Sequence, residues 1–289
     1  MAGNRPGSRG TLGSLTAVAV VAVVLGLAAC GGSSTSGASR TSGPTRTSGT
    51  AATSGASNGS QSGTGAASGR HLRKVLVLTQ TLGYHHASIP TAKATLSRIA
   101  ARSGRYRLVF LSSATKVTPQ ALAHASAVVF LLTTGELPMT PTDKRALVAF
   151  VHRGGGLVGF HSATDTFHHW PAYIAMMGAE FDHHPAPSTQ RVAVVDRDTP
   201  ATRSLPRTFS IHEEFYVFSH DPLSRLHVLA ELDGRPHHPL VWCRRAGRGR
   251  VFYDALGHFS RTWHNPIQID MATGGIAWAT GLERAPSCS

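Results

Sequence analysis

Acidic residues are scarce in this sequence. Fifteen Asp and Glu stand against 28 Lys and Arg, a formal net charge of +13 over 289 residues. Such a balance raises nucleic acid as a partner, but the basic residues are scattered rather than laid in a stripe, which argues against it. A positive surface facing an anionic cell envelope is the simpler reading. Cysteine is rarer still, with three in all, at 30, 243 and 288. No cysteine-cluster metal site can be built from them. Cys243 and Cys288 can pair in an oxidising compartment, but spacing alone does not supply the geometry. There is no H-E-x-x-H pair, no phosphate-cradling loop and no internal repeat, which removes those motif-defined classes. "GRGRVF" has the glycines of a phosphate loop but sits between strands, and reads as a turn. Long apolar runs are also missing: the one candidate, "TAVAVVAVVLGLAA" at 16–29, is short for the roughly 20 residues of a membrane span.

Histidine is what the chain has in quantity, with 17. Its other marked feature is a biased amino-terminal quarter. Arg5 and Arg9, the apolar run and a small-residue exit have the layout of an export signal over residues 1–30. "Leu27-Ala28-Ala29-Cys30" followed by Gly31 resembles a bacterial lipobox. That resemblance implies cleavage before Cys30, lipid on its sulfur and a protein held at the membrane outside the cytoplasm. Residues 31–72 follow as a linker, almost wholly Gly, Ser, Thr and Ala up to residue 70. With no apolar periodicity nothing offsets the entropy of ordering it, and as a random coil it reaches about 35 Å. One folded unit remains, at 73–284.

Within that unit, strands alternate with helices. "KVLVLT" (74–79), "YRLVFLSS" (106–113), "AVVFLLT" (127–133) and "GLVGF" (156–160) are continuous apolar runs, as expected of strands buried on both faces. Helices are expected between them: one capped by Ser88 and stopped by Gly104, a short one opened by Thr118 and Pro119, and one opened by Thr140, Pro141 and Asp143. This pattern means an α/β fold, a parallel sheet flanked by helices. The second half carries strands at 190–196, 212–219, 226–232, 238–245 and 249–256, a β-rich C-terminal extension closed by a helix at 267–282. Ligands of such sheets bind beyond the carboxyl ends of the strands. The residues there are Tyr84, His85 and His86, then Thr133, Thr134 and Glu136, then His161.

Six motifs occur in order: "GYHHASI" (83–89), "GGGLVGFHSATDT" (154–166), "GAEFDHHP" (178–185), "EEFYVF" (213–218), "PLVWCRRAGRGRVFYDALGH" (239–258) and "GGIAWATG". Together they resemble the ThuA, trehalose-utilization, domain family across nearly all of 73–283. The resemblance implies a flavodoxin-like, class I glutamine amidotransferase-like fold. It also implies a role in using carbohydrates, trehalose-type or 3-keto-glycosides. In the amidotransferase relatives a cysteine nucleophile stands at the tip of the corner that here carries His161.

A histidine at that tip can serve as general base, general acid or metal ligand. Asp165, four residues on, would share a helical face with it and orient the ring. The family motifs point to His86 rather than the solvent-facing His85, to His184 before Pro185, to Glu214 and Tyr216, and to His258. On a strand, Glu214 and Tyr216 would face the same way. The expected catalytic groups are His161, Glu214, His86 and Asp165; Tyr84, Tyr216, Trp170 and His258 are expected to contact substrate. Of the other aromatics, Tyr173 and Trp263 could stack on sugar, whereas Trp242 and Trp278 read as core. His86, His161, His184 and His258 could hold Zn²⁺ or another divalent metal, and metal-free acid–base chemistry on a sugar carbonyl is the alternative. Two other functions fit the same residues: a non-catalytic carbohydrate-binding lipoprotein and a metal-binding surface protein.

Overall fold

The computed structural model describes residues 72–219 and 226–288. The expected signal segment, Cys30 and all of the linker but Leu72 lie outside them. No helix among the described residues is long and apolar enough to cross a membrane.

Five parallel strands form the core of one nine-stranded sheet: β1 (Arg73–Leu78), β2 (Tyr106–Leu111), β3 (Ala127–Leu131), β4 (Gly156–Phe160) and β11 (Gly249–Asp254). Four antiparallel strands continue the same sheet: β6 (Ser188–Val194), β7 (Thr208–Glu213), β9 (His227–Leu232) and β10 (Pro239–Ala246). The order is β2-β1-β3-β4-β11-β10-β9-β6-β7. The β-rich half is therefore an extension of the sheet, joined through β11, which returns to pair parallel with β4. A separate ribbon pairs β5 (Phe181–His183) with β8 (Val217–Phe218). "GRGRVF" is a hairpin turn as expected, with Ala246 opposite Gly249 and Gly247 at φ +59°.

Every residue of β3 and β4 is buried, which requires cover on both faces. Helices α1 (Ile89–Ser103) and α5 (Pro266–Ala279) pack together against the sheet; α2 (Pro119–Ala123), α3 (Pro141–His152) and α4 (Pro171–Met177) form a second packed group. Their ends follow local chemistry. Thr140 accepts a hydrogen bond from the Asp143 amide at the start of α3, and Thr118 does the same for α2, each worth about 1 kcal/mol. Gly104 ends α1 in the left-handed conformation. Ser88 departs from expectation: its hydroxyl caps nothing and donates instead to the Gly257 carbonyl at 3.0 Å. Cys243 and Cys288 form a disulfide that ties the chain's end to β10.

Candidate functional site

Four loops at the carboxyl edge of the sheet meet at one place. The corner after β4 is the tightest. His161 has φ +50° and is fully buried, a left-handed conformation that costs a non-glycine residue about 1–2 kcal/mol. The bend also needs Gly159. A Cβ there would lie 2.7 Å from Met177 Sδ and 3.0 Å from the Ala163 Cβ. The chain then enters a 3₁₀ turn at His161–Asp165, so the corner has the shape of a nucleophile elbow with an imidazole at its tip.

The loop after β11 supplies the anchor for that ring. His161 Nδ1–H donates to the Ala255 carbonyl at 2.8 Å, which leaves Nε2 as the acceptor. Tyr216 donates its hydroxyl to that nitrogen at 3.1 Å, and Glu214 Oε2 lies 3.5 Å from it. Two residues further, Gly257 turns the chain at φ +125°. Its carbonyl accepts from Ser88 and Trp263, and the amides of Gly257 and His258 donate to Glu213. The loop after β1 is held by Thr134, which accepts from the Gly83 amide and donates to the Tyr84 carbonyl. In this way Tyr84 and His86 are set against His258, with ring centroids 6.0 and 5.1 Å away.

Tyr84, His86, Asp165, Phe181, His184, Glu214, Tyr216 and His258 line a cavity of about 270 Å³. Glu214 is its hub: Oε2 lies 2.8 Å from His258 Nδ1 and 3.5 Å from both His161 Nε2 and His184 Nε2. Burial opposes its ionisation, but the close approach of the His161 and His258 rings outweighs it and holds the carboxyl well below its usual range. His86 moves the other way for a base. Burial and the neighbouring His161 and His258 push it down to about 3, so it is neutral at physiological pH. A larger cavity, about 500 Å³, lies near the amino-terminal ends of β1, β4 and β11 among Arg73, Arg153 and Arg250. It shares no residue with the histidine cluster and holds no carboxylate, so the smaller cavity is where the chemistry can be.

Several expected site residues take other roles. Asp165 does not orient His161: the 3₁₀ turn carries it away, and its Oδ1 lies 2.8 Å from His168 Nε2, whose Nδ1 meets Glu180 Oε1 at 2.8 Å. Burial opposes charge on His168, yet the two carboxylates raise its pKa. Asp165 still lines the cavity. Trp170 does not: it packs on Phe167 and Tyr173 under Lys144. Tyr173 and Trp263 are buried and donate to the Ala163 and Gly257 carbonyls, so both belong to the core with Trp242 and Trp278. His184 stands at the mouth, its Nδ1 on the Pro185 carbonyl at 2.9 Å, and is outside the tight group of His86, His161, Glu214 and His258. Glu214 and Tyr216 do meet, but in an irregular stretch between β7 and β8 rather than on a strand. Thr133 bonds Thr166, and Glu136 binds the His169 amide. Neither reaches the cavity.

Between the end of β11 and α5 sits a polar pair that the sequence motifs do not mark. Asp254 is fully buried, accepting from the Leu256 amide at 3.0 Å and from Gln268 Nε2 at 2.8 Å. Burial, with Glu213 nearby, raises its pKa to about 7, against the bonds from Leu256 and Gln268. A raised carboxyl pKa penalises the folded state at high pH: stability falls as pH climbs from the ordinary value through about 7. Gln268 Oε1 is meanwhile buried without a partner. In Asp254→Asn the new amide can donate to that oxygen once Gln268 turns over. The variant should gain about 2 kcal/mol at pH 8 and little at pH 4, read from urea unfolding at both pH values. An equal gain at both would assign the effect to packing instead.

Comparison with known proteins follows the same lines. A family model described as ThuA, trehalose utilisation, matches residues 74–279. No curated protein matches the chain by sequence. Among solved structures, a ThuA-like protein from Bacteroides uniformis superposes with a TM-score of 0.59 at 20% identity, covering 72% of this chain and 91% of its own. One from Parabacteroides merdae gives 0.60 at 18% identity, covering 73% and 91%. At these identities the likeness is one of fold, a parallel-dominated sheet flanked by helices. With the family match spanning most of its length, this chain belongs to the ThuA, trehalose-utilisation, family.

Proposed function

We propose that the chain is a surface-tethered enzyme that processes an oxidised disaccharide of the trehalose type, with the histidine-lined cavity as its active site. The observation that carries this is the convergence of two carboxylates, Asp165 and Glu214, with Tyr84, Tyr216, His184 and His258 around one small cavity. Ring faces and hydrogen-bonding groups suit a sugar, and a carboxylate beside protic donors suits proton removal next to a carbonyl. His161 is fully buried behind the cavity wall, with Nε2 against Tyr216 and Glu214. It acts through Tyr216 and Glu214, whose positions it sets, rather than by touching substrate. Asp165, paired with His168 and lining the cavity, is the base with access. Tethering is part of the proposal; the lipobox-like run at 27–30 and the Cys243–Cys288 disulfide support it.

The test is incubation of membrane-extracted protein with trehalose and its 3-keto derivative, followed by NMR. Mass spectrometry of the same sample reads whether the mature chain begins at a lipidated Cys30. Turnover of the keto sugar is expected, with Asp165→Asn lowering kcat about a hundredfold at similar KM. Saturable binding without chemical change would replace the enzyme with a carbohydrate-capture protein.

A further inference from the structure

The four groups at and just behind the cavity floor pose a separate problem. Three imidazole rings, His86, His161 and His258, stand with centroids 4.8, 5.1 and 5.4 Å apart, steeply inclined to one another, around a single carboxylate. Rings in that arrangement direct several nitrogens into one small volume. Few partners are there to meet them. His161 has spent Nδ1 on a backbone carbonyl and presents Nε2 inward. His86 has only a 3.5 Å approach from Ser162 Oγ to its Nδ1. His258 Nδ1 is buried and has no aligned hydrogen bond, although Glu214 Oε2 is 2.8 Å away. A proton can satisfy one such contact at a time. A cation satisfies all of them together.

We propose that His86, His161, Glu214 and His258 form a binding site for one first-row divalent transition-metal ion, of which Zn²⁺ is the best fit. One ligand atom from each residue lies within 4.8 Å of all the others. The separations run down to 2.8 Å, and a tetrahedral site with bonds of about 2.1 Å needs about 3.4 Å between ligands. Shifts of several tenths of an ångström in each side chain would close the set. Three imidazoles with one carboxylate suit zinc rather than magnesium or calcium.

The surroundings are those of a supported site. The Ala255 carbonyl fixes the tautomer and direction of His161. Glu213 binds the backbone amides of both Glu214 and His258, so one buried carboxylate positions two ligands. The ligands come from the ends of β1, β4, β7 and β11, brought together only by folding, so the ion should stabilise the folded chain. Tyr84, Asp165 and His184 remain on the cavity side, where a water or sugar oxygen could reach the ion. The inference deepens the enzymatic reading but is measured without any sugar.

The experiment uses the untagged full-length chain, stripped with a chelator and titrated with Co²⁺ as a visible probe and with Zn²⁺ by calorimetry. One ion per chain is expected, with the intense visible bands of low-coordinate Co²⁺ and a higher melting temperature with Zn²⁺. Glu214→Gln, His86→Asn and His258→Asn should each weaken binding about tenfold or more; melting in chelator confirms that each variant folds. His85→Asn and His183→Asn, in neighbouring exposed histidines, should bind as wild type. Absence of saturable binding would overturn the site, and so would binding that survives in the Glu214 and His258 variants. Metal binding without turnover would sink the enzymatic reading alone; absent metal binding beside intact turnover would sink the metal site alone.

Discussion

Glu213→Ala is expected to remove about 4 kcal/mol of folding stability and to release the loop that carries His258. Glu213 has no solvent exposure, and its carboxylate accepts from four donors: the amides of Glu214, Gly257 and His258 and the hydroxyl of Thr262. Alanine leaves those donors in a space with no replacement, at about 1–3 kcal/mol for each buried donor without an acceptor. Relaxation and water entry keep the total below the simple sum. Gln at this position retains one oxygen and turns an NH₂ toward the remaining donors, so Glu213→Gln should fall about halfway. The effect is visible in two ways: denaturant unfolding gives the stability, and hydrogen exchange at Gly257 and His258 shows whether the loop has opened. If Glu213→Gln unfolds like wild type and both amides stay protected, the carboxylate is not what holds the site.

That residue marks the limit of what the sequence discloses here. In "EEFY" two acids stand side by side, and the family pattern directs attention to Glu214. The pattern is right about the cavity and silent about Glu213, because the weight on Glu213 comes from a loop 45 residues away in the chain. Asp165 illustrates a different failure. Four-residue spacing puts it beside His161 only if the backbone is α-helical; a 3₁₀ turn moves it to the facing wall, against His168. Trp170 is selected by residue type alone, and type does not say which way a ring points; the family motif does bring His184 to the cavity, but not into the tight group. By contrast His86, His161, Glu214, Tyr216 and His258 were all legible, since each follows a strand end or a motif that the fold carries to one edge.

The architecture was more open to reading than the site. Continuous apolar runs identify β1, β3 and β4 as doubly covered strands, and the Thr-Pro openings of α2 and α3 fix helix starts through caps that form as expected. What the runs cannot show is that β11, distant in sequence, returns to pair parallel with β4. Periodicity describes one segment at a time. Pairing depends on which edge is left free, and that is decided by the whole sheet. β5 escaped because three residues carry no period, and the strand expected at 212–219 is broken at 214–216, leaving β8 as its far piece; their ribbon puts the Phe181 and Tyr216 ring centroids 4.2 Å apart.

The "GG" of the closing helix leads to the second large effect, in which a substitution that favours the helix should damage the fold. Two adjacent glycines in α5 sacrifice about 1 kcal/mol each relative to alanine. Packing explains why they are there. A Cβ on Gly274 would lie 2.0 Å from the Pro200 carbonyl oxygen and 2.3 Å from the Ala201 nitrogen, and one on Gly275 would meet the Phe252 ring at 2.3 Å. The Phe252 ring can tilt. The backbone at Pro200–Ala201 can move only with its whole segment, which α5 clamps against the sheet. Gly274→Ala should therefore cost about 3 kcal/mol net of the helical gain, and Gly274→Val more. Thr273→Ala, one position earlier and exposed, gives up only a bond to the Ile269 carbonyl and should be neutral within about 0.5 kcal/mol. Chemical denaturation of the three variants separates the two effects. A Gly274→Ala chain as stable as wild type would mean that α5 can lift from the Pro200 segment at no cost. The contact holding the last helix to the sheet would then lie elsewhere, with Gly275 against Phe252 the next place to look.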